Sequence, residues 1–147
     1  MRNITLRRFC PLVFVIATFG GCATNEPYVF SQGEKTASVK FLGMGRPSFC
    51  RSGKFYSFTP VENSSAVRIP VGERISVGTY MYFSGYNVSH SCYPFLSFMP
   101  KEGVTYVIDS NVRGNKCFVE LVREDESKAT GVGIEPSVGP RDCYKEK

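Results

Sequence analysis

The chain has 147 residues, with 18 basic and 13 acidic side chains, six cysteines and a formal net charge of +5. Three of the basic residues (Arg2, Arg7 and Arg8) fall in the first 21 positions, which hold no acid, so 15 basic residues face 13 acidic ones in the rest. That near-neutral remainder, without a Lys/Arg run longer than two, excludes a nucleic-acid footprint, and its 126 residues suffice for one domain with its own core.

Behind the three arginines, Phe9 to Phe19 runs without a charge and ends in Gly20-Gly21-Cys22. A basic start, an apolar middle and small residues before a cleavage point make a secretory signal. The apolar run would rise only about 16 Å as a helix, short of the roughly 30 Å hydrocarbon core, which argues against a permanent membrane span. A cysteine directly after two glycines resembles the signal of bacterial lipoproteins, with Phe19 where that family usually carries leucine. The resemblance implies cleavage before Cys22, diacylglycerol on its thiol and an acyl group on its amine. Two or more such chains anchor stably where one is marginal. Ala23 stands where aspartate would resemble an inner-membrane retention signal, so the resemblance points to the outer membrane, facing the periplasm. Ordinary secretion with a free Cys22 is the alternative.

Residues 22–36 mix polar residues, Pro and Gly and are expected to form a flexible tether, with a single domain over 37–147. Ser38 to Leu42 reads as a strand, broken at Gly43-Met44-Gly45-Arg46-Pro47. Lys54 to Thr59 alternates, with Phe55, Ser57 and Thr59 on the wetter face. Ala66 to Pro70 is a short strand before a turn at Val71-Gly72-Glu73. Arg74 to Phe83 alternates Ile75, Val77, Thr79, Met81 and Phe83 against Arg74, Ser76, Gly78, Tyr80 and Tyr82, the clearest period of two in the chain. Tyr93 to Met99 and Val104 to Asp109 follow, joined across Pro100-Lys101-Glu102-Gly103 as a hairpin loop. Lys116 to Arg123 is the last strong strand. The polar tail 124–147 is expected to hold a surface strand near Gly131 to Glu135 and to fray after Tyr144. Seven short strands predict an all-β antiparallel sandwich or small barrel.

With Cys10 in the signal and Cys22 on lipid, four cysteines remain: Cys50, Cys92, Cys117 and Cys143. An even number in an exported chain reads as two disulfides with three possible connectivities, and the lack of a CxxC pair argues against zinc or redox roles. The favoured pairing is Cys92–Cys117 as a clamp across the sheet core, with Cys50–Cys143 tying down the tail. Closing a loop of about 90 residues contributes on the order of 4 kcal/mol.

Two stretches, Val67 to Val77 and Ser91 to Ile108, resemble the strand–turn–strand unit and the following hairpin of small β-sandwich envelope lipoproteins. Their shared residues are turn and core residues, so the resemblance implies a fold and no catalytic site.

Candidate chemistry is sparse. His90, the only histidine, lies two residues from Cys92, but a nucleophile there needs a free thiol. Glu120, Glu124, Asp125 and Glu126 cluster at a strand end, where carboxylates solvate an edge. No catalytic residue, metal site or cofactor is expected, and no GxSxG, HExxH or phosphate loop occurs. Asn63-Ser64-Ser65 and Asn87-Val88-Ser89 match the glycosylation pattern, a match that is usually chance in the bacterium that the lipoprotein resemblance implies. The aromatic set is the better lead: Tyr80, Tyr82 and Tyr86 with Arg74 have the composition of a protein-binding surface, against the plainer reading of tyrosines on an exposed sheet face. The expected function is a lipid-anchored, non-enzymatic binding or structural lipoprotein that contacts the membrane through its lipid and an envelope protein through this face. An immunity or inhibitor lipoprotein that blocks a periplasmic toxin or hydrolase is the alternative.

Overall fold

The computed structural model describes residues 25–58 and 66–143. The signal segment 1–21, Cys22, the Asn63-Ser64-Ser65 match and everything from Tyr144 on lie outside them. The fold is all-β, 61% strand, with no helix among the described residues. Its strands are β1 (Glu26–Pro27), β2 (Thr36–Gly43), β3 (Arg46–Arg51), β4 (Lys54–Ser57), β5 (Ala66–Pro70), β6 (Ile75–Gly85), β7 (Val88–Cys92), β8 (Phe95–Phe98), β9 (Thr105–Arg113), β10 (Lys116–Glu124), β11 (Val132–Ile134) and β12 (Gly139–Pro140).

These form a sandwich of two sheets, with edges that exclude a closed barrel. The larger sheet runs β1-β4-β3-β6-β8-β12, with β7 added to the far half of β6; the smaller runs β11-β10-β9-β2-β5. All seven expected strands are present, as is the surface strand expected near Gly131 to Glu135, here β11, and they are joined by β1, β3, β7 and β12. The sheets are mixed rather than purely antiparallel, because β2 pairs parallel with β9 and β1 parallel with β4. Parallel neighbours need a long crossover, and between β2 and β9 the chain supplies one by building most of the larger sheet. Pro100 to Gly103 is therefore no hairpin loop. It carries the chain from β8 in one sheet to β9 in the other, and the Tyr106 hydroxyl accepts the Lys101 N–H at 3.0 Å to hold the crossing.

The inner faces meet in one apolar core. Phe49, Ile75, Val77 and Phe98 from the larger sheet pack with Val39, Ile69, Tyr106 and Ile108 from the smaller, all essentially inaccessible. The Phe98 and Tyr106 rings meet edge-on, 4.8 Å between centroids, across the sandwich. Tyr56 and Phe58 close the core's border, so the wetter face of β4 is indeed the one carrying Phe55 and Ser57.

From Asn25 onward, the stretch expected as a tether is built into the fold. Glu26 and Pro27 pair with β4, and Tyr28 packs against Phe30, Phe49 and Tyr56. Arg51 binds Glu34, Glu73 and the Tyr28 hydroxyl, which itself donates to Glu34 at 2.8 Å. Burial, then the bond to Glu34, pushes the Tyr28 hydroxyl up to about 12, keeping it a neutral donor.

The disulfides connect as expected, Cys50–Cys143 and Cys92–Cys117, and Cys50–Cys143 ties down the tail as expected, but Cys92–Cys117 is no clamp across the core. Cys92 and Cys117 are only half-buried and lie outside the core, where they clip the β6–β7 hairpin to the β9–β10 hairpin at one end of the sandwich. Cys50–Cys143 is the buried bond. It fastens the tail across the outer face of the larger sheet.

Candidate functional site

Strand register explains why that outer face is hollow. On the inner side, Tyr56, Phe49, Val77 and Leu96 form an apolar row across β4, β3, β6 and β8. One residue along, the row on the outer side is Ser57, Ser48, Gly78 and Phe95. Three of these four are small, so the sheet has a trough where its neighbours have side chains. Gly78 is required there. A Cβ on it would lie 2.1 Å from the Pro94 carbonyl oxygen and 2.7 Å from the Phe95 ring.

The next outer row, Phe55, Cys50, Ser76 and Ser97, lies under the tail. The Asp142 N–H donates to the Ser76 hydroxyl at 2.9 Å, the Ser97 hydroxyl donates to the Pro140 carbonyl at 2.7 Å, and Cys143 is bonded to Cys50. Arg141 thereby stands at the trough's rim, its guanidinium 5.4 Å from the Phe55 ring centre and 5.2 Å from that of Phe95. On the opposite rim are Arg46, Tyr80 and Tyr93, the two tyrosine rings 4.5 Å apart. The result is a solvent-open groove of about 790 Å³ lined by aromatic, hydroxyl and guanidinium groups and, among the described residues, by no carboxylate. A smaller hollow of about 490 Å³ continues it past Arg46 and Tyr80 to Gly45 and Tyr82.

The four expected surface residues do not lie together. Tyr80 and Tyr82 line this groove system, at its rim and in its extension. Tyr86 is at the exposed tip of the β6–β7 hairpin. Arg74 shares their face but is committed to the tail, donating to the Ser97 hydroxyl at 3.0 Å and the Ser137 carbonyl at 2.9 Å. Sequence reasoning missed Arg46, placed in a turn, and Arg141, placed in a tail. The pattern Ser-x-Cys in β3 against Ser-x-Gly in β6 is the signal for a small-residue floor, legible only once the strands are in register.

The other candidates have ordinary partners. Cys92 is disulfide-bonded and offers no thiol to His90, which sits in β7 opposite Phe83 beside a cavity of about 340 Å³. Glu124 pairs with Lys40 at 2.5 Å, Glu120 with Arg113 at 3.8 Å, and Asp125 accepts from the Ser127 hydroxyl at 2.6 Å. Hydrogen bonds from Ser127 lower the Asp125 carboxyl below its usual range, as its solvated strand-end position allows. Among the described residues no group of three His, Cys, Asp or Glu side chains could hold a metal ion. Compared with protein-family models, with curated proteins and with solved structures, the chain matches none.

Proposed function

We propose that the protein is an exported, lipid-anchored binding module of a bacterial envelope, contacting another envelope protein non-covalently through the groove on the larger sheet. The groove carries this reading. Its rims are tyrosine, phenylalanine and arginine, the residues that dominate binding hot spots, and one rim is fixed in place by a buried disulfide. A pre-set rim spares the ordering entropy that a flexible loop would lose on binding. Two disulfides fit an oxidising compartment, and Cys22 in its lipoprotein-like setting supplies the anchor. No catalytic step is assigned. The same rigidity would suit an immunity or inhibitor protein, whose target would be a toxin or hydrolase in the periplasm.

A photo-crosslinking side chain placed at Tyr93 tests the surface, with Ile134, 84% exposed on the smaller sheet, as the control position. In native membranes, a dominant protein adduct is expected from position 93 and none from 134. Equal adducts from both positions, or none from either, would reject the groove as the contact.

A further inference from the structure

We infer that the groove receives an extended, acidic segment of the partner protein, an inference that rests on the binding role proposed above. Charge is the first argument. Lys35, Lys40, Arg51, Lys54, Arg113 and Arg123 each have a carboxylate within 4.0 Å. Arg46, Arg68, Arg74, Lys101, Lys116 and Lys128 have none among the described residues, and of these six Arg46 is the one that lines the groove. A guanidinium is the side chain suited to bidentate capture of a carboxylate. Arg141 stands across the trough over Phe55 and Phe95, so Arg46 is the cation left to meet an anionic occupant, and among the described residues no acid lines the groove to oppose one.

Size and ring geometry decide between anions. The trough crosses four strands from Ser57 to Phe95, three interstrand spacings or about 14 Å, which about four residues of extended polypeptide would span. A sugar chain binds aromatic sites by stacking on open ring faces. Here Tyr80 and Tyr93 pack on each other, and Arg141 lies over Phe55 and Phe95. One face of each ring is thereby taken, and the two tyrosines add phenolic hydroxyls, which suit peptide groups.

Labelled polymers test this on the full-length protein in detergent micelles, by fluorescence anisotropy. The probes are a random glutamate–tyrosine copolymer, polygalacturonate as an acidic glycan, and polylysine. The copolymer is expected to bind, with polygalacturonate at least tenfold weaker and polylysine not binding. Arg46→Glu should weaken the copolymer at least tenfold, and Arg46→Gln should weaken it less. Lys128→Glu, which makes the same charge change on an exposed loop, should leave affinity within twofold. Thermal unfolding of each variant confirms that it is folded. Equal losses in Arg46→Glu and Lys128→Glu would mean diffuse attraction and overturn the inference. Arg46-dependent binding of polygalacturonate in preference to the copolymer would overturn the polypeptide assignment while leaving the groove as a binding site. No Arg46-dependent binding of any polyanion would overturn the acidic occupant, and repeating the position-93 crosslink in the Arg46→Glu protein then shows whether the groove still meets its partner.

Discussion

Replacing Gly78 by alanine probes the groove floor at its tightest point. The Gly78 backbone is outside the left-handed region, so alanine is conformationally acceptable and space alone decides the outcome. The added methyl would stand 2.1 Å from the Pro94 carbonyl oxygen, where about 3.5 Å is a comfortable contact. The gap must open by more than an ångström, and the Thr79 N–H to Pro94 carbonyl bond, already 3.3 Å, would break. Overpacking of this kind costs about 1–3 kcal/mol and the lost bond about 1 kcal/mol. Removing a glycine from the unfolded chain returns up to about 1 kcal/mol, leaving a net loss of about 1–3 kcal/mol. Gly85 in the same strand is the internal control, since a Cβ there has its nearest neighbour at 3.8 Å. Urea unfolding of both variants, followed by far-ultraviolet circular dichroism with the disulfides intact, measures the difference. Gly85→Ala should be as stable as the parent or more stable by up to about 1 kcal/mol, since the unfolded-chain gain meets no overpacking there. Two variants of equal stability would refute the close approach of β8 to β6.

The two disulfides should differ in worth. Cys92–Cys117 closes a separation of 25 residues inside the 93 closed by Cys50–Cys143, leaving an outer path of about 68 and chain-entropy contributions of about 3.5 and 4.4 kcal/mol respectively. Cys50→Ala/Cys143→Ala should therefore be less stable than Cys92→Ala/Cys117→Ala by about 1 kcal/mol in denaturant titration, and the reverse order would contradict loop closure as the source of the difference. Burial would raise the Glu34 carboxyl, but the Ser31 N–H, the Tyr28 hydroxyl and Arg51 outweigh it and hold it below its ordinary 4.5. A lowered folded pKa gives stability that is present above pH 4.5 and lost as the pH falls through the folded value, so the deficit of Glu34→Gln at pH 7 should shrink at pH 3; a deficit independent of pH would remove the carboxylate's role. Cys22→Ser should release the protein from membranes on fractionation, and unchanged pelleting would reject the lipid anchor.

Much of the fold is written in local pattern. The alternation from Arg74 to Phe83 predicts β6 and its buried face correctly, because a two-residue period survives whatever the strand pairs with. β3 was hidden because Pro47 and the preceding Gly43 and Gly45 read as a turn, although Phe49 between Ser48 and Cys50 keeps the same alternation. β7, Val-Ser-His-Ser-Cys, carries little intrinsic strand preference and exists by pairing with β6. Turn chemistry at Pro100 to Gly103 states that the chain turns, not which sheet the next strand joins, so an arch reads as a hairpin. The groove was less legible still. Tyr80 and Tyr82 follow from alternation, but a floor made by Ser57, Ser48 and Gly78 depends on the register of three strands, and Arg141 reaches the rim only because Cys143 is bonded 93 residues away. Arg74, next to the tyrosines in sequence, is drawn off by the tail that the same bond positions.

The nested order of the cysteines also sets a problem of timing. Under the proposed export, with lipid on Cys22, a chain threaded N-terminus first into an oxidising space would expose Cys50 and then Cys92 before the native partner of either has arrived. Thiols joined in order of appearance would link these two, and only thiol–disulfide exchange could convert that link into the native pairs. Cys92 can be released to Cys117 once β10 has emerged, whereas Cys50 must wait until the tail has crossed the outer face of the larger sheet. On that route maturation would call for an isomerase as well as an oxidant, with the bond that holds the groove's rim the last to be made.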